Sequence, residues 1–319
     1  MSDYMQSPVQ DEIDLRDLFR ILWAGKWIIS GVSLGLGIVA VVITLSMPNV
    51  YRSESVLAPV NESGAGGFAA IAGQLSGLAS LAGVRVGKEQ VSKTAIALEV
   101  MKSRLFITSF IKRHDILVPL MAGKSWDRKR KVLVLNDKKY NVKTKSWIAS
   151  SELSGSGIPS DWKAYKAFSK KLKVMQSKDT GLVTVSLDSI SPELAQKWLT
   201  WLIEDINEQM RERDIEEANK SIDFLKKERE KTPVAGMQQV FNTLIEKQMQ
   251  TVMLANVREQ YVFNVIDPPG VPEQKVSPRR AIIVIVSVIL GGMFSSLVLI
   301  VLGLSRNSGQ ASLPKTKSN

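Results

Sequence analysis

Two long runs without a charged residue constrain this chain more than any other feature. Residues 27–47 and 281–304 form uncharged runs of 21 and 24 residues. At about 1.5 Å per helical residue the runs would reach roughly 31 and 36 Å, enough for a bilayer core of about 30 Å. We therefore predict two transmembrane helices. The first run is longer than the apolar part of a signal peptide and follows an acidic segment, so we expect it to remain uncleaved.

Two spans place both tails on one side of the membrane and a large middle domain on the other. The tails, residues 1–26 and 305–319, each carry three basic residues, and four more flank the spans on the opposite side. Basic residues are enriched in cytoplasmic tails, so this difference favours tails in the cytoplasm. We expect residues 48–280 to form an external domain, in a periplasm or its equivalent.

The formal net charge of +11 first suggests a nucleic-acid partner. However, residues 48–280 contain 36 basic and 26 acidic residues, so nearly all the excess lies in the external domain. Nucleic acid is therefore not an expected partner. The expected counterparts are anionic lipid head groups near Arg279 and Arg280, an acidic glycan, or the carboxylates of a neighbouring subunit.

Composition and motifs argue against catalysis. The chain has no cysteine and one histidine, which excludes disulfides, cysteine-ligated metals, cysteine nucleophiles and sites that need two histidines. His114 ends an apparent helix, where an imidazole has a structural use. Residues 83–88 imitate a phosphate loop, but Ala82 and Glu89 break the pattern. We expect no catalytic residue, no cofactor and no metal.

Both uncharged runs contain small residues at a spacing of four, which lets helix backbones approach each other in lipid. The packing could join the two spans or neighbouring subunits. Alternatively, glycine is simply common in such helices. The candidate packing residues are Gly31, Gly35, Gly291, Gly292 and Ser295.

Before the first span, residues 11–26 place apolar side chains on one helical stripe behind an acidic start. This pattern predicts an amphipathic helix on the inner membrane face. The alternative is a plain continuation of the transmembrane helix. The stripe consists of Leu15, Leu18, Phe19, Leu22 and Trp23.

The external domain shows mixed strand and helix signals. Residues 64–83 form a glycine-rich stretch that predicts a loop or a weak helix, and residues 123–162 read as a surface excursion rich in Lys, Ser, Gly and Trp. Strands are predicted at 50–60, 131–135, 140–142, 172–175, 182–187 and 261–266, and helices at 88–101, 103–114 and 162–172.

A long helical hairpin is predicted over about 192–260. Ser191 and Pro192 form a strong helix start, and apolar periodicity then continues to Lys231 within a mixed-charge sequence. Residues 233–261 supply a returning apolar face. The narrow stripe of the first helix needs a partner, and we expect it to serve helix or subunit packing. Its candidate residues are Ile206, Met210, Ile215, Ile222 and Leu225.

A proline-rich return, residues 267–280, leads to the second span. Prolines keep this stretch out of helix. They are Pro268, Pro269, Pro272 and Pro278. The predicted fold class is therefore an α+β membrane protein, in which two transmembrane helices flank an external α/β base domain with a long helical hairpin.

This layout resembles the Wzz-type polysaccharide co-polymerases, the chain-length determinant family. The residues that carry the resemblance are DEIDLRDLFRILWAGKWII (11–29) at the first span and VIDPPGVPEQKVSPRRAIIVIV (265–286) at the second. The middle of the chain matches by layout more than by motif.

The resemblance implies a non-catalytic inner-membrane protein that forms a homo-oligomeric ring. Such a ring would act with a Wzy-type polymerase on a lipid-linked polysaccharide and set its length. The open alternatives are a capsule or exopolysaccharide export scaffold and a partner of a separate tyrosine kinase. Only 15 residues without a tyrosine follow Leu304, so a kinase domain is not expected at this end. An envelope enzyme or a two-span sensor fits the sequence less well.

Overall fold

A computed structural model of the chain describes residues 20, 22–60, 92–148 and 157–310, with side chains to residue 302. It divides into one unit made of residues 1–48 and 277–319 and a second made of residues 49–276. Residues 22–24 are helical, but residues 11–19 of the predicted amphipathic helix lie outside the described residues. The glycine-rich stretch 64–83 also lies outside them.

The described elements follow one another in an order close to the predicted one. They are α1 (Lys26–Ser46), β1 (Val50–Pro59), α2 (Lys93–Lys102), α3 (Arg104–Arg113), α4 (Leu117–Ala122), β2 (Gly123–Asp127), β3 (Val132–Leu135), β4 (Tyr140–Asn141), β5 (Ser146–Trp147), α5 (Asp161–Ser169), β6 (Leu172–Gln176), β7 (Val183–Ser189), α6 (Pro192–Lys231), α7 (Ala235–Val257), β8 (Phe263–Asp267), β9 (Lys275–Ser277) and α8 (Arg280–Gln310).

The first unit consists of the two apolar helices α1 and α8. Each is long and apolar enough to cross a membrane by length and composition, with mean hydropathies of 2.5 and 2.7. Only 17% and 11% of these windows are buried within the protein. Core helices of soluble domains are mostly buried, so the exposed apolar surface agrees with the prediction of two membrane helices.

The second unit is built on one sheet of five strands in the order β6–β7–β1–β8, with β9 also paired to β1. β1 pairs antiparallel with β7 and with β8, and β6 pairs antiparallel with β7. Alternate residues of β1 are buried, including Ser53 and Ser55. Their hydroxyls donate to the carbonyls of Gly270 (2.8 Å) and Asp267 (2.6 Å), which satisfies them inside the fold.

Helices cover one face of this sheet and form the core. α2, α3, α5 and the first half of α6 contribute apolar side chains that meet those of β1, β7 and β8. The largest fully buried members include Trp198, Phe110, Phe168 and Phe263. Burial of each such side chain contributes about 2–3 kcal/mol. The core therefore fixes the base of α6 firmly against the sheet.

α6 spans the predicted range in full. The Ser191 hydroxyl accepts from the Leu194 amide at 3.3 Å and Pro192 occupies the first turn, as the sequence predicts. The helix has 40 residues and a length of about 60 Å. After Thr232 the chain reverses into α7, which completes the predicted hairpin.

Four short elements were not predicted: α4, β2, β5 and β9. Each has two to six residues, which is too short to show a period of apolar residues. α4 also contains Pro119, a residue that argues against a helix in the sequence. The predicted fold class is confirmed, and the differences lie in these short pieces.

Candidate assembly surfaces

A buried asparagine fastens α6 to the sheet. The Asn207 amide donates to the carbonyls of Ile203 (3.1 Å) and Phe263 (3.2 Å), and its oxygen accepts from the amides of Val262 (2.8 Å) and Phe263 (2.9 Å). Asn207 is therefore satisfied on both sides of its amide group. Asn207 is not among the residues predicted from the sequence. The signal was a polar residue at an apolar position of the stripe, four residues after Ile203.

A second anchor lies about two turns further along α6, at Asp214. The Tyr261 hydroxyl donates to Asp214 at 2.6 Å, and the Lys93 ammonium lies 2.9 Å from the same carboxylate. Burial and the hydrogen bond to Asp214 raise the pKa of Tyr261 to about 12, against the opposing effect of Lys93. The phenol is thus held neutral between a carboxylate and an ammonium group.

His114 belongs to a third anchor. It lies 3.1 Å from Asp205 and stacks on Trp201 with ring centres 4.3 Å apart. Arg113 approaches the same carboxylate at 3.3 Å. The histidine that the sequence places at a helix end therefore connects the end of α3 to α6 by ring stacking and a hydrogen bond. These contacts give it a structural role.

A bidentate ion pair ties β1 to β7. Arg52 donates to both oxygens of Asp188, at 2.6 and 3.0 Å. This contact raises the pKa of Arg52, and burial lowers the pKa of nearby Lys171. The base that carries α6 is thus held by the sheet, by its core and by specific polar contacts.

The predicted stripe of α6 divides between two environments. Ile206 and Met210 are fully buried in the core of the base. Ile215 is partly buried against that core. Ile222 is buried and Leu225 half-buried further along the hairpin. Whether any of the five residues packs against another subunit stays a prediction.

Apolar side chains also point outward from the hairpin. Phe224 of α6 is 63% exposed, and it lines a groove of about 660 Å³ together with Leu225, Leu244 and Gln248. The outward apolar residues of α7 are Met237, Val240, Leu244, Met249, Met253, Leu254 and Val257. This surface was not predicted, because the sequence analysis assigned the apolar residues of α7 to contact with α6.

Charged side chains surround the groove in alternating sign. Lys220 donates to Glu216 at 2.6 Å, and this contact lowers the pKa of Glu216. Arg213 and Glu217 also line the groove. Outside it, Arg211 pairs with Glu208 about two turns earlier, and Lys231 lies 2.9 Å from Glu228 at the end of α6. The groove is therefore apolar at its centre and charge-compensated at its rim.

The small residues of α1 and α8 also fall into two groups. A Cβ added at Gly291 would lie 2.9 Å from Leu36, and one at Gly292 would lie 3.2 Å from the Ser33 hydroxyl. Ser295 is buried as well. By contrast, nothing lies within 4 Å of a Cβ built at Gly31 or Gly35. Three of the five predicted residues thus lie at the contact between α1 and α8, and two do not. A further close approach, 2.9 Å from Val288, occurs at Gly37.

The proline-rich return has no helix and runs beside β1. The carbonyl of Pro269 accepts a hydrogen bond of 3.1 Å from Gln196 of α6. Pro268, Pro272 and Pro278 lie in the same segment, whose last strand is β9. Hydrogen bonds to α6 and β1 therefore attach the return to the rest of the domain.

No group of three or more His, Asp or Glu side chains gathers as a metal site among the described residues. The exposed apolar groove of the hairpin and the close contact between α1 and α8 are the surfaces that we consider the candidate functional site.

Two family models match parts of the chain. The family model for the chain length determinant protein, Wzz, matches residues 11–114, and the model for the G-rich domain on putative tyrosine kinase matches residues 231–303. No curated protein sequence matches the chain.

Two solved structures are similar to it at low identity. A full-length bacterial polysaccharide co-polymerase has 14% identity and a TM-score of 0.37, with 95% of this chain and 100% of that chain covered. A fragment of WzzB, a polysaccharide co-polymerase from Salmonella Typhimurium, has 16% identity and a TM-score of 0.27, with 72% and 100% covered. The two family models together take in more than half of the chain and include both apolar helices. The chain belongs to the Wzz-type polysaccharide co-polymerases, the chain-length determinant family.

Proposed function

We propose that this protein is a non-catalytic regulator that sets the length of a surface polysaccharide, O-antigen or a related glycan, made by a Wzy-type polymerase. In this proposal both tails are cytoplasmic, residues 48–280 are periplasmic, and the chain works as a closed homo-oligomer in a bacterial inner membrane. Its partners are the polymerase and the lipid-linked polysaccharide. Family membership supports the class of function.

The outward apolar surface of the helical hairpin carries the assembly part of the proposal. Phe224 and the exposed residues of α7 leave an apolar surface on a helix pair that is otherwise rich in charge. Contiguous apolar surface on a folded protein usually marks an interaction site. The occupant we propose is the hairpin of a second copy.

Two properties of the groove favour a second copy. Its rim carries Arg213, Glu216, Glu217 and Lys220, so it offers both signs of charge to a hairpin that also carries both. Charges of this kind fix register between helices. The groove includes Leu244 and Gln248 of α7, whereas the exposed Met249, Met253 and Val257 lie on the opposite side of that helix. These are two different surfaces of one hairpin. Contact between different surfaces is head-to-tail, and it gives a ring when the rotation closes.

Phe224→Asp tests the assembly directly, because the side chain is exposed and its loss leaves the fold of one subunit intact. The full-length protein would be solubilised in detergent, and its mass measured by light scattering. We expect the wild type to be oligomeric and the variant to dissociate. Lys226→Asp, an exposed position of the same helix outside the groove, is the matched control. Equal masses for wild type and Phe224→Asp would refute the hairpin contact.

The same two variants test the function in cells. Wild-type protein should give a preferred polysaccharide length on a gel, and Phe224→Asp should broaden or shift that length while polymer is still made. Lys226→Asp should match the wild type. Loss of all polymer in the Phe224→Asp strain would contradict a role in length control and favour a role in synthesis or export.

A second candidate function rests on the match of residues 231–303 to the G-rich domain on putative tyrosine kinase. Relatives of that kind suggest a scaffold for capsule or exopolysaccharide export that works with a separate kinase. Deletion of the gene distinguishes the two. Length control predicts polymer without a preferred length, whereas an export scaffold predicts little or no surface polymer.

A further inference from the structure

Nearly all the excess positive charge of the larger unit lies in one short segment. Residues 123–147, which we call the basic excursion, contain nine basic and two acidic residues. The rest of residues 49–276 contains 25 basic and 24 acidic residues. The basic excursion therefore has a net charge of +7, whereas the rest of the unit has a net charge of +1.

The basic side chains of the excursion are exposed, and most of them lie near no opposing charge. Arg130 lies 3.9 Å from Asp127 and Lys131 lies 4.0 Å from Glu193, both weak contacts at the limit of an ion pair. The other seven form no ion pair with any carboxylate in the part of the chain that the structure describes. They are Lys124, Arg128, Lys129, Lys138, Lys139, Lys143 and Lys145.

Local hydrogen bonds hold the turns that carry these basic side chains. The side chains of Asp127 and Asn141 accept hydrogen bonds from backbone amides within their own turns. Lys131 and Lys145 occupy left-handed backbone, with φ of 51° and 49°. Glycine adopts this conformation at lower cost. Two positions that suit glycine thus carry a positive charge instead.

Exposed apolar side chains and an aromatic pair lie within the same segment. Val132 and Val134 of β3 are exposed, and Val142, in the turn between the paired strands β4 and β5, is 55% exposed. Tyr140 and Trp147 form an edge-to-face pair with ring centres 5.3 Å apart. Such rings, apolar in body and polar at the tip, are enriched at the boundary of bilayer and water.

The excursion is fixed near the segment that leads to α8. Arg128 donates to the carbonyl of Glu273 at 2.8 Å. A Cβ at Gly123 would lie 2.6 Å from the carbonyl oxygen of Pro119, so β2 begins in tight contact with α4. Glu273 precedes Arg280, where α8 begins, by seven residues. Seven fully extended residues span at most about 25 Å.

We propose that the basic excursion is a docking surface for the anionic phospholipid head groups of the bilayer that holds α1 and α8. The lysines attract the phosphodiester groups, while the exposed valines and the aromatic pair enter the interfacial region. Each Lys or Arg at an anionic surface strengthens association about fivefold. The attraction decays over a Debye length of about 8 Å at physiological salt. The contact therefore requires anionic lipid and weakens as salt rises.

The observations favour lipid over an acidic glycan or a second copy. An acidic glycan or a carboxylate-rich helix would contact the basic side chains, but it would leave the exposed valines without a partner. The bilayer interface takes both groups at once. This inference does not rest on the proposed length control, because it concerns the contact of one domain with the membrane.

A single-cysteine spin label tests the docking surface, since the wild-type chain has no cysteine. Val142→Cys in the full-length protein would carry the label, in nanodiscs of neutral phosphatidylcholine or of phosphatidylcholine with 30% phosphatidylglycerol. We expect the anionic nanodiscs alone to raise the label's collision rate with oxygen and lower that with a water-soluble nickel chelate. Salt at 1 M should reverse this shift.

Charge variants identify the surface responsible. Lys138, Lys139, Lys143 and Lys145, all changed to Gln, should abolish the shift, because four losses of about fivefold weaken the contact several-hundredfold. The matched control changes four exposed lysines elsewhere, Lys163, Lys170, Lys173 and Lys178, to Gln and should keep the shift.

Three results would overturn the proposal. The label could have the same accessibility in neutral and anionic nanodiscs. It could be protected only when a soluble acidic polysaccharide is added, which would assign the surface to glycan. Finally, it could be protected in neutral nanodiscs and exposed in the Phe224→Asp variant, which would assign the surface to contact between copies.

Discussion

The helical hairpin and the basic excursion carry equal numbers of basic residues and use them differently. Residues 192–257 contain nine basic and 12 acidic residues, and the excursion contains nine and two. In the hairpin, bases such as Lys220 meet carboxylates one turn away. In the excursion, seven bases meet none among the described residues. Internally compensated charge can set register with another helix, whereas uncompensated charge attracts an external anion.

The largest effect should come from breaking the hairpin's attachment to the base. Asn207→Leu leaves the buried amides of Val262 and Phe263 without an acceptor, and each such loss costs about 1–3 kcal/mol. We expect a total loss of about 3–5 kcal/mol in the free energy of unfolding, measured with denaturant on the full-length protein in detergent. The exposed Asn219→Leu is the control and should change it by less than about 0.5 kcal/mol. Similar losses for both variants would show that Asn207 is no anchor.

A smaller effect separates the inside of the hairpin from its outside. Ile222 is 8% exposed and Phe224 is 63% exposed, only two residues apart. Ile222→Ala should lower the free energy of unfolding by about 2–4 kcal/mol, because it leaves a cavity between α6 and α7. Phe224→Ala should have little effect on one subunit and act on assembly. A larger loss of stability in monomeric Phe224→Ala than in Ile222→Ala would contradict this division.

The Tyr261 anchor predicts a pH dependence. Its pKa of about 12 in the folded state exceeds the ordinary value of 10, so the folded protein holds this proton more tightly than the unfolded chain does. The stabilisation is complete below pH 10 and is lost as the pH rises to 12, by up to about 2.5 kcal/mol. Unfolding measured from pH 9 to 12 should show a steeper fall for the wild type than for Tyr261→Phe. Parallel curves would exclude the anchor as the cause.

The smallest effect compares charges in the two regions directly. Lys220→Gln removes an exposed i,i+4 pair with Glu216 and should lower stability slightly. Lys143→Gln removes a positive charge that forms no ion pair among the described residues. It should leave stability unchanged or slightly higher. Thermal unfolding at low salt measures both. A greater loss for Lys143→Gln would show that the excursion's charges serve folding.

The long elements were predictable because they repeat a physical signal. Two uncharged runs predicted α1 and α8, and a Ser191–Pro192 start followed by apolar periodicity predicted α6 over its full length. Runs rich in apolar residues predicted the strands at 172–175 and 182–187, which became β6 and β7, and Gly181 between them has a φ of 70°. In each case many residues carry the same local preference, so tertiary contacts do not overturn it.

The candidate surfaces were harder to predict, because they depend on which side of a helix meets the base. An apolar stripe looks the same whether it packs inside one chain or against another. Met210 is buried in the core, while Phe224, not singled out in the sequence, faces outward. Likewise, Asn207 reads as one more polar residue of α6, since its partners at 262 and 263 are distant in sequence. The net charge was assigned to the external domain as a whole, and its concentration in residues 123–147 was not predicted.

The central claim is that the protein sets polysaccharide length through assembly of its hairpins. The most direct measurement is a gel of surface polysaccharide from a strain that lacks the gene and carries either the wild-type chain or Phe224→Asp at equal expression. We expect the deletion strain to make polymer without a preferred length, the wild type to restore a preferred length, and Phe224→Asp to give a broadened or shifted one. A preferred length restored equally by both chains, or a deletion strain that makes no polymer, would contradict it.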